Sequence, residues 1–298
     1  MSAENVPEPS ASAHPPFRTA LISTAGHCAV ACGFCFRTDR AHGFLDVATF
    51  TRALSRLKEI GVASICLTGG EPTHHSDLRQ LVRLAHQFGM PVSVVTSART
   101  SAEVTRLGEI AHLLTNVTVS ADSVNAMRIG RTTRSVSSGV SVLLGIETPV
   151  KVLHLTYWQV TADECREIHQ LLSDTDIDIQ LSPVTLDEKA CDREGLSLYD
   201  YVQQQRSDAE LLGGYVLLSP RFQEHLVALR AMQLYPERQH ACRSAALYVS
   251  AGGELRRCPY SRSGVAVHAA RTDIGRFLAH GTQDWTTPDC AAICRADP

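Results

Sequence analysis

Three cysteines near the start of the chain have the spacing of a metal-binding loop. Cys28, Cys32 and Cys35 form a C-x3-C-x2-C run, and thiolates are the ligands that zinc, copper(I) and iron–sulfur clusters prefer. A [4Fe–4S] cube normally takes four cysteine ligands, so a set of three leaves one iron open for another molecule. The alternatives are a zinc knuckle, which needs a fourth ligand close by, and three buried structural cysteines.

The aromatic residue before the third cysteine narrows the interpretation. With Phe34 in that place, the motif resembles the signature of the radical S-adenosylmethionine (SAM) enzymes. The resemblance implies that the three cysteines hold a [4Fe–4S] cluster, that Phe34 belongs to the cofactor site, and that the open iron binds the amino and carboxylate groups of SAM. In that family, an electron from the cluster cleaves the sulfonium, and the 5′-deoxyadenosyl radical removes a hydrogen atom from a C–H bond.

A second motif, Gly69-Gly70-Glu71, is followed by Pro72. Glycines let the backbone approach a ligand in conformations that other residues avoid, and a carboxylate beside them accepts hydrogen bonds from an ammonium group. The motif resembles the GGE motif of the same family, which holds the amino group of the methionine moiety. On its own, such a tetrapeptide is often only a turn.

Short β-rich runs alternate with amphipathic segments from Arg18 onward, which predicts parallel strands joined by crossover helices. The predicted strands are 19–24, 63–68, 92–97, 116–121, 150–157 and 176–182. Apolar residues at helical spacing predict helices over 50–60, 78–88, 101–114, 137–144 and 162–172. Six such units fit an α/β fold, the partial (βα)6 TIM-like barrel of the family that the cysteines resemble.

In such a barrel, catalytic groups gather where the strands end and the βα loops begin. Both motifs fall there, and so do Ser97, Ser120 and Asp122. The resemblance implies that these three bind the ribose and the methionine carboxylate of SAM, and that Arg131 pairs with that carboxylate, a task that suits a planar guanidinium. Alternatively, the three only cap the helices that follow, and Arg131 is a solvated loop residue.

Strand alternation predicts a polar lumen. If the apolar side chains of the fourth, fifth and sixth strands face the helices, the lumen carries Thr118, Ser120, His154, Thr156, Asp178, Gln180 and Ser182. Barrel interiors without a ligand are normally filled by branched apolar residues, so this set predicts a bound polar molecule. Our candidate substrate contacts are His154 first, then Thr156 and Gln180, although a lone histidine is more often a hydrogen-bonded core residue.

A second cysteine group comes late in the chain, at Cys242, Cys258, Cys290 and Cys294. The Gly252-Gly253 pair lies between two β-like segments, 246–250 and 254–257, which predicts a hairpin that brings the first two cysteines together. The C-x10-G-x4-C spacing, with Asp273-Ile274-Gly275 and Trp285, resembles the twitch and SPASM auxiliary-cluster domains. Because a full SPASM domain has more cysteines, the resemblance implies a twitch domain with one fully ligated auxiliary [4Fe–4S] cluster. A structural zinc site with the same ligands stays open.

These features divide the chain into four parts. They are a flexible N-terminal segment at 1–17, the barrel at 18–183, a connecting region at 184–241, and a small C-terminal α+β twitch-like domain at 242–298. In the connecting region we expect a polar loop with Cys191, an apolar run at 215–218, and a helix from Phe222 to about Leu234. Cys66 is expected on the lumen side of the second strand.

Composition limits the partners. The net charge of −3 and the pI near 6.5 give no electrostatic reason to expect nucleic acid or an anionic membrane. No apolar run approaches the ~20 residues of a membrane span, and the first residues lack the features of a signal peptide. We therefore expect a cytoplasmic protein whose ten cysteines are metal ligands and core residues rather than disulfides.

Together, the motifs predict a radical SAM oxidoreductase of a biosynthetic pathway that acts on a small polar metabolite, such as an aminocyclitol, a sugar or a nucleoside. We expect the auxiliary cluster to accept the electron left on the substrate radical, and a flavodoxin or ferredoxin to supply electrons. The short N-terminal segment argues against a peptide-recognition domain. The alternatives are a maturase that cross-links a ribosomally made peptide, a nucleotide enzyme of the viperin or molybdenum-cofactor type, and a non-catalytic zinc protein.

Overall fold

The computed structural model of the chain describes residues 18–35, 43–184, 186, 188–218, 222–223, 247–257, 259 and 263–279. The segment 1–17 and the second cysteine group, Cys242, Cys258, Cys290 and Cys294, lie outside these residues. So do Trp285 and all but the first two residues of the helix expected from Phe222. The predictions made for them therefore stay predictions.

Six parallel strands form the body of the sheet. They are β1 (Thr19–Ala25), β2 (Ser64–Gly69), β3 (Val92–Thr96), β4 (Asn116–Asp122), β5 (Lys151–Tyr157) and β6 (Ile177–Pro183). Each pairs in parallel with the next strand in chain order. This is the predicted open, partial barrel, and the bounds of each strand lie within one residue of the prediction.

The crossover helices cover one face of this sheet. They are α1 (Val47–Glu59), α2 (Leu78–Gln87), α3 (Ser101–Ala111), α4 (Val124–Gly130), α5 (Val136–Leu144) and α6 (Ala162–Leu172). Helix α1 begins three residues before its predicted start because the Asp46 side chain accepts a hydrogen bond from Thr49 N, 2.9 Å away, and caps it. Helix α4 is not among the predicted helices, since seven residues carry too little periodicity to reveal it.

Strand alternation places the side chains as expected. The odd-numbered side chains of β4 to β6 point toward the helices and form the core, where Val117, Val119, Leu153 and Leu155 are almost fully buried. A Cβ added to Gly139 of α5 would lie 2.7 Å from Leu153, so this helix packs directly on the sheet. The even-numbered polar side chains therefore face the lumen.

The C-terminal hairpin extends the barrel sheet. Strands β7 (Leu247–Val249) and β8 (Glu254–Arg256) pair in antiparallel register through a turn at Gly253, which has φ +77°. The hairpin predicted around the glycine pair is thus confirmed. Strand β7 also pairs in parallel with β1, and β8 continues to a short β9 (Val265–Ala266).

The prediction of a polar loop around Cys191 is wrong. This region contains helices α7 (Glu188–Arg193) and α8 (Leu198–Gly213), and a further helix, α9 (Arg271–Ala279), follows β9. A capping box between Ser197 and Asp200 starts α8, whose run of glutamines hides its amphipathic pattern. Cys191 is buried in a second core cluster, made of Ala126, Trp158, Val184, Leu186, Cys191, Tyr201 and Val202.

Within the described part of the chain, no helix combines the length and the apolar character needed to cross a membrane.

Candidate active site

The predicted site residues meet at the carboxyl edge of β1 to β4. The cysteine loop follows β1, Gly69-Gly70-Glu71 ends β2, Ser97 follows β3, and Asp122 ends β4. Because these strands are parallel neighbours, their ends lie side by side on the rim. This is the edge at which the catalytic groups of parallel α/β barrels gather.

The cysteine loop crosses directly over the glycine pair. A Cβ on Gly70 would lie 1.6 Å from the carbonyl oxygen of His27, the residue before Cys28. Gly69 has φ +125°, and a Cβ there would lie 2.7 Å from the carbonyl oxygen of Ala25. The amide of Glu71 donates to the His27 carbonyl over 3.1 Å. Both glycines are therefore needed so that the two motifs can touch backbone to backbone.

Glu71 joins the ends of β2 and β3. Its side chain is 1% exposed, and Oε1 accepts from the Thr73 amide and from the hydroxyls of Thr73 and Thr96, at 3.1, 2.8 and 2.6 Å. Oε2 accepts from the amide and the hydroxyl of Ser97, both at 2.7 Å. A carboxylate offers about four acceptor sites, so the protein itself fills them. A contact between this side chain and the amino group of SAM stays a prediction.

Asp122 forms a two-point ion pair that the sequence did not reveal. Its Oδ1 accepts from Nη2 of Arg134 at 2.6 Å and its Oδ2 from Nε at 2.9 Å. The Thr132 hydroxyl also donates to Oδ2. Asp122 is 1% exposed, so the pair lies largely out of water. Such a bidentate pair fixes the guanidinium in one orientation.

Ser97, Ser120 and Asp122 do not cap the helices that follow them, so the interpretation of these residues as helix caps is wrong. Thr100 caps α3 and Ser123 caps α4. Arg131 is exposed and holds the left-handed position at the end of α4, with φ +53°. Its pairing with the methionine carboxylate stays a prediction, and Arg134 is the arginine that the fold brings to the rim.

Ser97, Ser120 and Arg134 line one open cleft of about 800 Å³. Most of its other lining residues are serines and threonines from the loops before α3 and α5 and from the facing sides of these helices. The cleft therefore offers many hydroxyl groups and two guanidinium groups, and that of Arg134 is held in place by its ion pair with Asp122.

A row of lumen side chains that begins at Ser120, one of the residues that line the cleft, is neutral. Ser120, His154 and Gln180 are register neighbours on β4, β5 and β6, and Nε2 of His154 hydrogen bonds to the Ser182 hydroxyl at 2.8 Å. Burial lowers the pKa of His154 to about 4, and the charge of Arg134 acts in the same direction. Thr156 is buried and Gln180 is exposed, so the row offers donors and acceptors without net charge.

Cys32 connects the cysteine loop electrostatically with the rim ion pair. Burial raises the pKa of the Cys32 thiol to about 11; the Arg134 guanidinium opposes this shift, while Asp122, Cys35 and Cys28 add to it. Among the residues that the structure describes, no three His, Cys, Asp or Glu side chains converge closely enough to hold a single metal ion. Three thiols on one loop fit a cluster with an open iron. Phe34 packs against the second core cluster.

Comparison with known sequences agrees with this site. The family model of the radical SAM superfamily matches residues 22–172. A probable GTP 3′,8-cyclase of Methanopyrus kandleri is 36% identical over 145 residues, 45% of this chain and 46% of that protein. A PqqA peptide cyclase of Ruegeria pomeroyi is 35% identical over 86 residues, 28% of this chain and 23% of that protein.

A further relative, an S-adenosylmethionine-dependent nucleotide dehydratase of a Thermoplasmatales archaeon (strain ISO4-H5), is 30% identical over 117 residues, 39% of this chain and 42% of that protein. The matched segments thus span less than half of the length of each of these three relatives.

Solved structures share the fold. SuiB of Streptococcus suis bound to S-adenosylmethionine has a TM-score of 0.61 at 15% identity, over 94% of this chain and 71% of that one. The structure of anSMEcpe with AdoMet and a peptide has a TM-score of 0.57 at 12% identity, over 93% of this chain and 87% of that one. With the family model matched over half of its length, the chain belongs to the radical SAM superfamily.

Proposed function

We propose that this radical SAM enzyme cleaves SAM reductively and removes a hydrogen atom from a small polar metabolite, such as an aminocyclitol, a sugar or a nucleoside. The observation that carries the proposal is the neutral row of Ser120, His154 and Gln180 on the lumen side of β4, β5 and β6. A row of polar, uncharged side chains suits a substrate that is rich in hydroxyl or amide groups.

The cofactor site would be formed by groups from four strand ends. Cys28, Cys32 and Cys35 would hold the [4Fe–4S] cluster, which, when bound, supplies the electron that cleaves SAM. The resemblance gives Phe34, Gly69, Gly70, Glu71, Ser97, Ser120, Asp122 and Arg131 the role of binding SAM. Their own hydrogen bonds divide them into groups that build the rim, such as Glu71, and groups whose side chains border the cleft, such as Ser120.

Arg134 fits the carboxylate of SAM on geometric grounds. A guanidinium has five N–H donors, and Asp122 takes two of them. Arg134 lines the cleft together with Ser97 and Ser120, and three of its donors are left over by the ion pair. Because the ion pair holds the guanidinium in place, little side-chain entropy is lost when a carboxylate binds. Arg134→Lys should therefore weaken SAM binding more than Arg131→Lys in equilibrium binding, and the reverse order would favour Arg131 as the partner of the carboxylate.

A peptide substrate is the second candidate, because several relatives are named for peptides. They include PqqA peptide cyclases, and SuiB has been solved with its precursor peptide SuiA. A nucleotide substrate is favoured by the names of the GTP 3′,8-cyclase and the nucleotide dehydratase. Anaerobic incubation with perdeuterated candidates from each class separates the three. The true substrate transfers deuterium to 5′-deoxyadenosine, and transfer only from a peptide would overturn the metabolite assignment.

We also propose that Cys242, Cys258, Cys290 and Cys294 hold an auxiliary [4Fe–4S] cluster, and that a flavodoxin or a ferredoxin donates electrons. Two clusters predict about eight irons per chain, whereas a structural zinc site predicts about four irons and one zinc. The Cys290→Ala/Cys294→Ala variant should keep 5′-deoxyadenosine formation and lose oxidised product. Equal loss of both would assign the second centre to folding instead of electron transfer.

A further inference from the structure

The end of helix α4 packs against the two residues between Cys32 and Cys35. The amide of Gly33 donates to the Gly130 carbonyl at 2.9 Å, and a Cβ on Gly33 would lie 3.0 Å from the Ile129 carbonyl oxygen. A Cβ on Gly130 would lie 2.3 Å from Cε1 of Phe34. The cysteine loop is therefore seated on the last turn of this helix at van der Waals distance.

Gly130 is required for space and not for backbone conformation. It is the last residue of α4 and is not among the glycines with a positive φ, so its backbone would accept any L-residue. Alanine has the higher helix propensity, which would ordinarily favour it here. The ring of Phe34 is partly buried and packs against the second core cluster, so moving it away from position 130 disturbs that packing.

The same helix end also positions Arg134. The chain turns at Arg131 in the left-handed conformation, and Thr132 and Arg134 then donate to Asp122 at the end of β4. One segment of six residues, 129–134, thus touches the cysteine loop at one end and borders the cleft at the other. A shift of this segment would change the distance between the thiols and the guanidinium.

We propose that Gly130 is a positioning residue that sets the cysteine loop at its working distance from Arg134. This inference rests on the proposed function in one respect: the cluster is bound by the cysteine loop at one end of segment 129–134, and SAM is bound near Arg134 at the other end. Any side chain at Gly130 displaces Phe34, and the loop between Cys32 and Cys35 moves with it. Both the protection of the thiols and the binding of SAM should suffer.

The test compares Gly130→Ala with Gly108→Ala in the full-length protein. Gly108 also lies in a helix, α3, but nothing lies within 4 Å of a Cβ at that position. Before cluster reconstitution, alkylation of Cys32 and Cys35 is followed at peptide level by mass spectrometry. After reconstitution, iron content, the SAM dissociation constant and the SAM-induced change in the cluster's EPR spectrum are measured. Overpacking of this kind predicts an effect of about tenfold on alkylation rate and SAM affinity for Gly130→Ala only.

A second substitution tests the cause. The substitution Phe34→Leu removes the ring atoms that an alanine at position 130 would meet. Cys32 and Cys35 should therefore be alkylated no faster in Gly130→Ala/Phe34→Leu than in Phe34→Leu alone. The proposal is overturned if Gly130→Ala matches Gly108→Ala in alkylation and EPR, or if the double variant shows no recovery. A lower melting temperature with unchanged thiol protection and SAM binding would also overturn it. If the wild type binds neither iron nor SAM, the proposed function fails, whereas the alkylation data still decide the role of Gly130.

Discussion

The two halves of the barrel opening use their polar residues differently. On the rim of β2 to β4, Glu71 and Asp122 are buried and their carboxylates are filled by protein donors. On the lumen face of β5 and β6, Thr156 and Gln180 make no side-chain hydrogen bond within the described residues, and only His154 has a partner in Ser182. The first half is already organised without a ligand, whereas the second keeps its hydrogen-bonding capacity for one.

This difference indicates that the rim of β2 to β4 recognises the cofactor and that the lumen face of β5 and β6 recognises the substrate. Because the carboxylates of Glu71 and Asp122 already accept hydrogen bonds from the protein, they form a rigid surface, which suits a cofactor shared by a whole family. Unused donors and acceptors are the groups that a specific substrate can satisfy. Variants of the rim should therefore affect folding and SAM together, and variants of the lumen should affect the substrate alone.

The largest effect is expected from the thiols. The triple variant Cys28→Ala/Cys32→Ala/Cys35→Ala should abolish SAM cleavage, because the cluster loses all of its protein ligands. The measurement is 5′-deoxyadenosine formation with dithionite as the reductant. Cys165→Ala, at a buried position in α6, is the control and should keep cleavage. Persistent cleavage in the triple variant would show that the ligands lie elsewhere.

Next comes the rim ion pair. Asp122→Ala should lower the free energy of unfolding by roughly 3 kcal/mol, because it leaves the largely buried Arg134 side chain without its partner. It should also weaken SAM binding. Arg166, whose ion pair with Asp163 is exposed, provides the comparison, and Asp163→Ala should change stability far less than Asp122→Ala. Equal effects in urea unfolding would contradict the role of the rim pair.

A smaller loss is expected at Glu71. Glu71→Gln turns one of the two acceptor oxygens into a donor that faces hydroxyl and amide groups, which should cost about 2 kcal/mol in stability. SAM affinity should fall as well, since β2 and β3 lose their link. An unchanged SAM dissociation constant would reject any role of this carboxylate in the cofactor site.

His154 in the lumen should make the free energy of unfolding depend on pH. The pKa of His154 is lowered from 6.5 to about 4 in the folded protein, so its contribution to stability is complete above pH 6.5 and is lost as the pH falls toward 4. The wild type should therefore lose up to about 3 kcal/mol more than His154→Gln over this range. Parallel pH profiles of the two unfolding free energies would contradict the buried, neutral state.

The smallest structural effect is expected at Gln180, whose side chain is exposed in the lumen. Gln180→Ala should change stability by less than about 0.5 kcal/mol and leave SAM binding unchanged, but raise KM for the substrate. A loss of SAM affinity equal to that of Asp122→Ala would remove the proposed division between the two halves.

Periodicity gave the strands within one residue because their β-branched residues alternate cleanly between two faces. Periodicity could not predict that Arg134 pairs with Asp122 at the rim. Arginines recur at positions 128, 131 and 134, and which of them reaches the rim depends on the left-handed turn at Arg131. Helix α8 was missed for a related reason, since its polar residues hide a face whose burial depends on contacts with the second core cluster.

The pairing of β7 with β1 has a consequence for biosynthesis. Some two hundred residues separate these neighbours in the sheet, so this contact is the most distant in sequence among the strand pairs of the described sheet. During translation, β1 emerges first and keeps one flank open until the hairpin has left the ribosome. Since the cysteine loop continues directly from β1, the segment that we propose to hold the cluster follows a strand that is paired on one side only until β7 has been made.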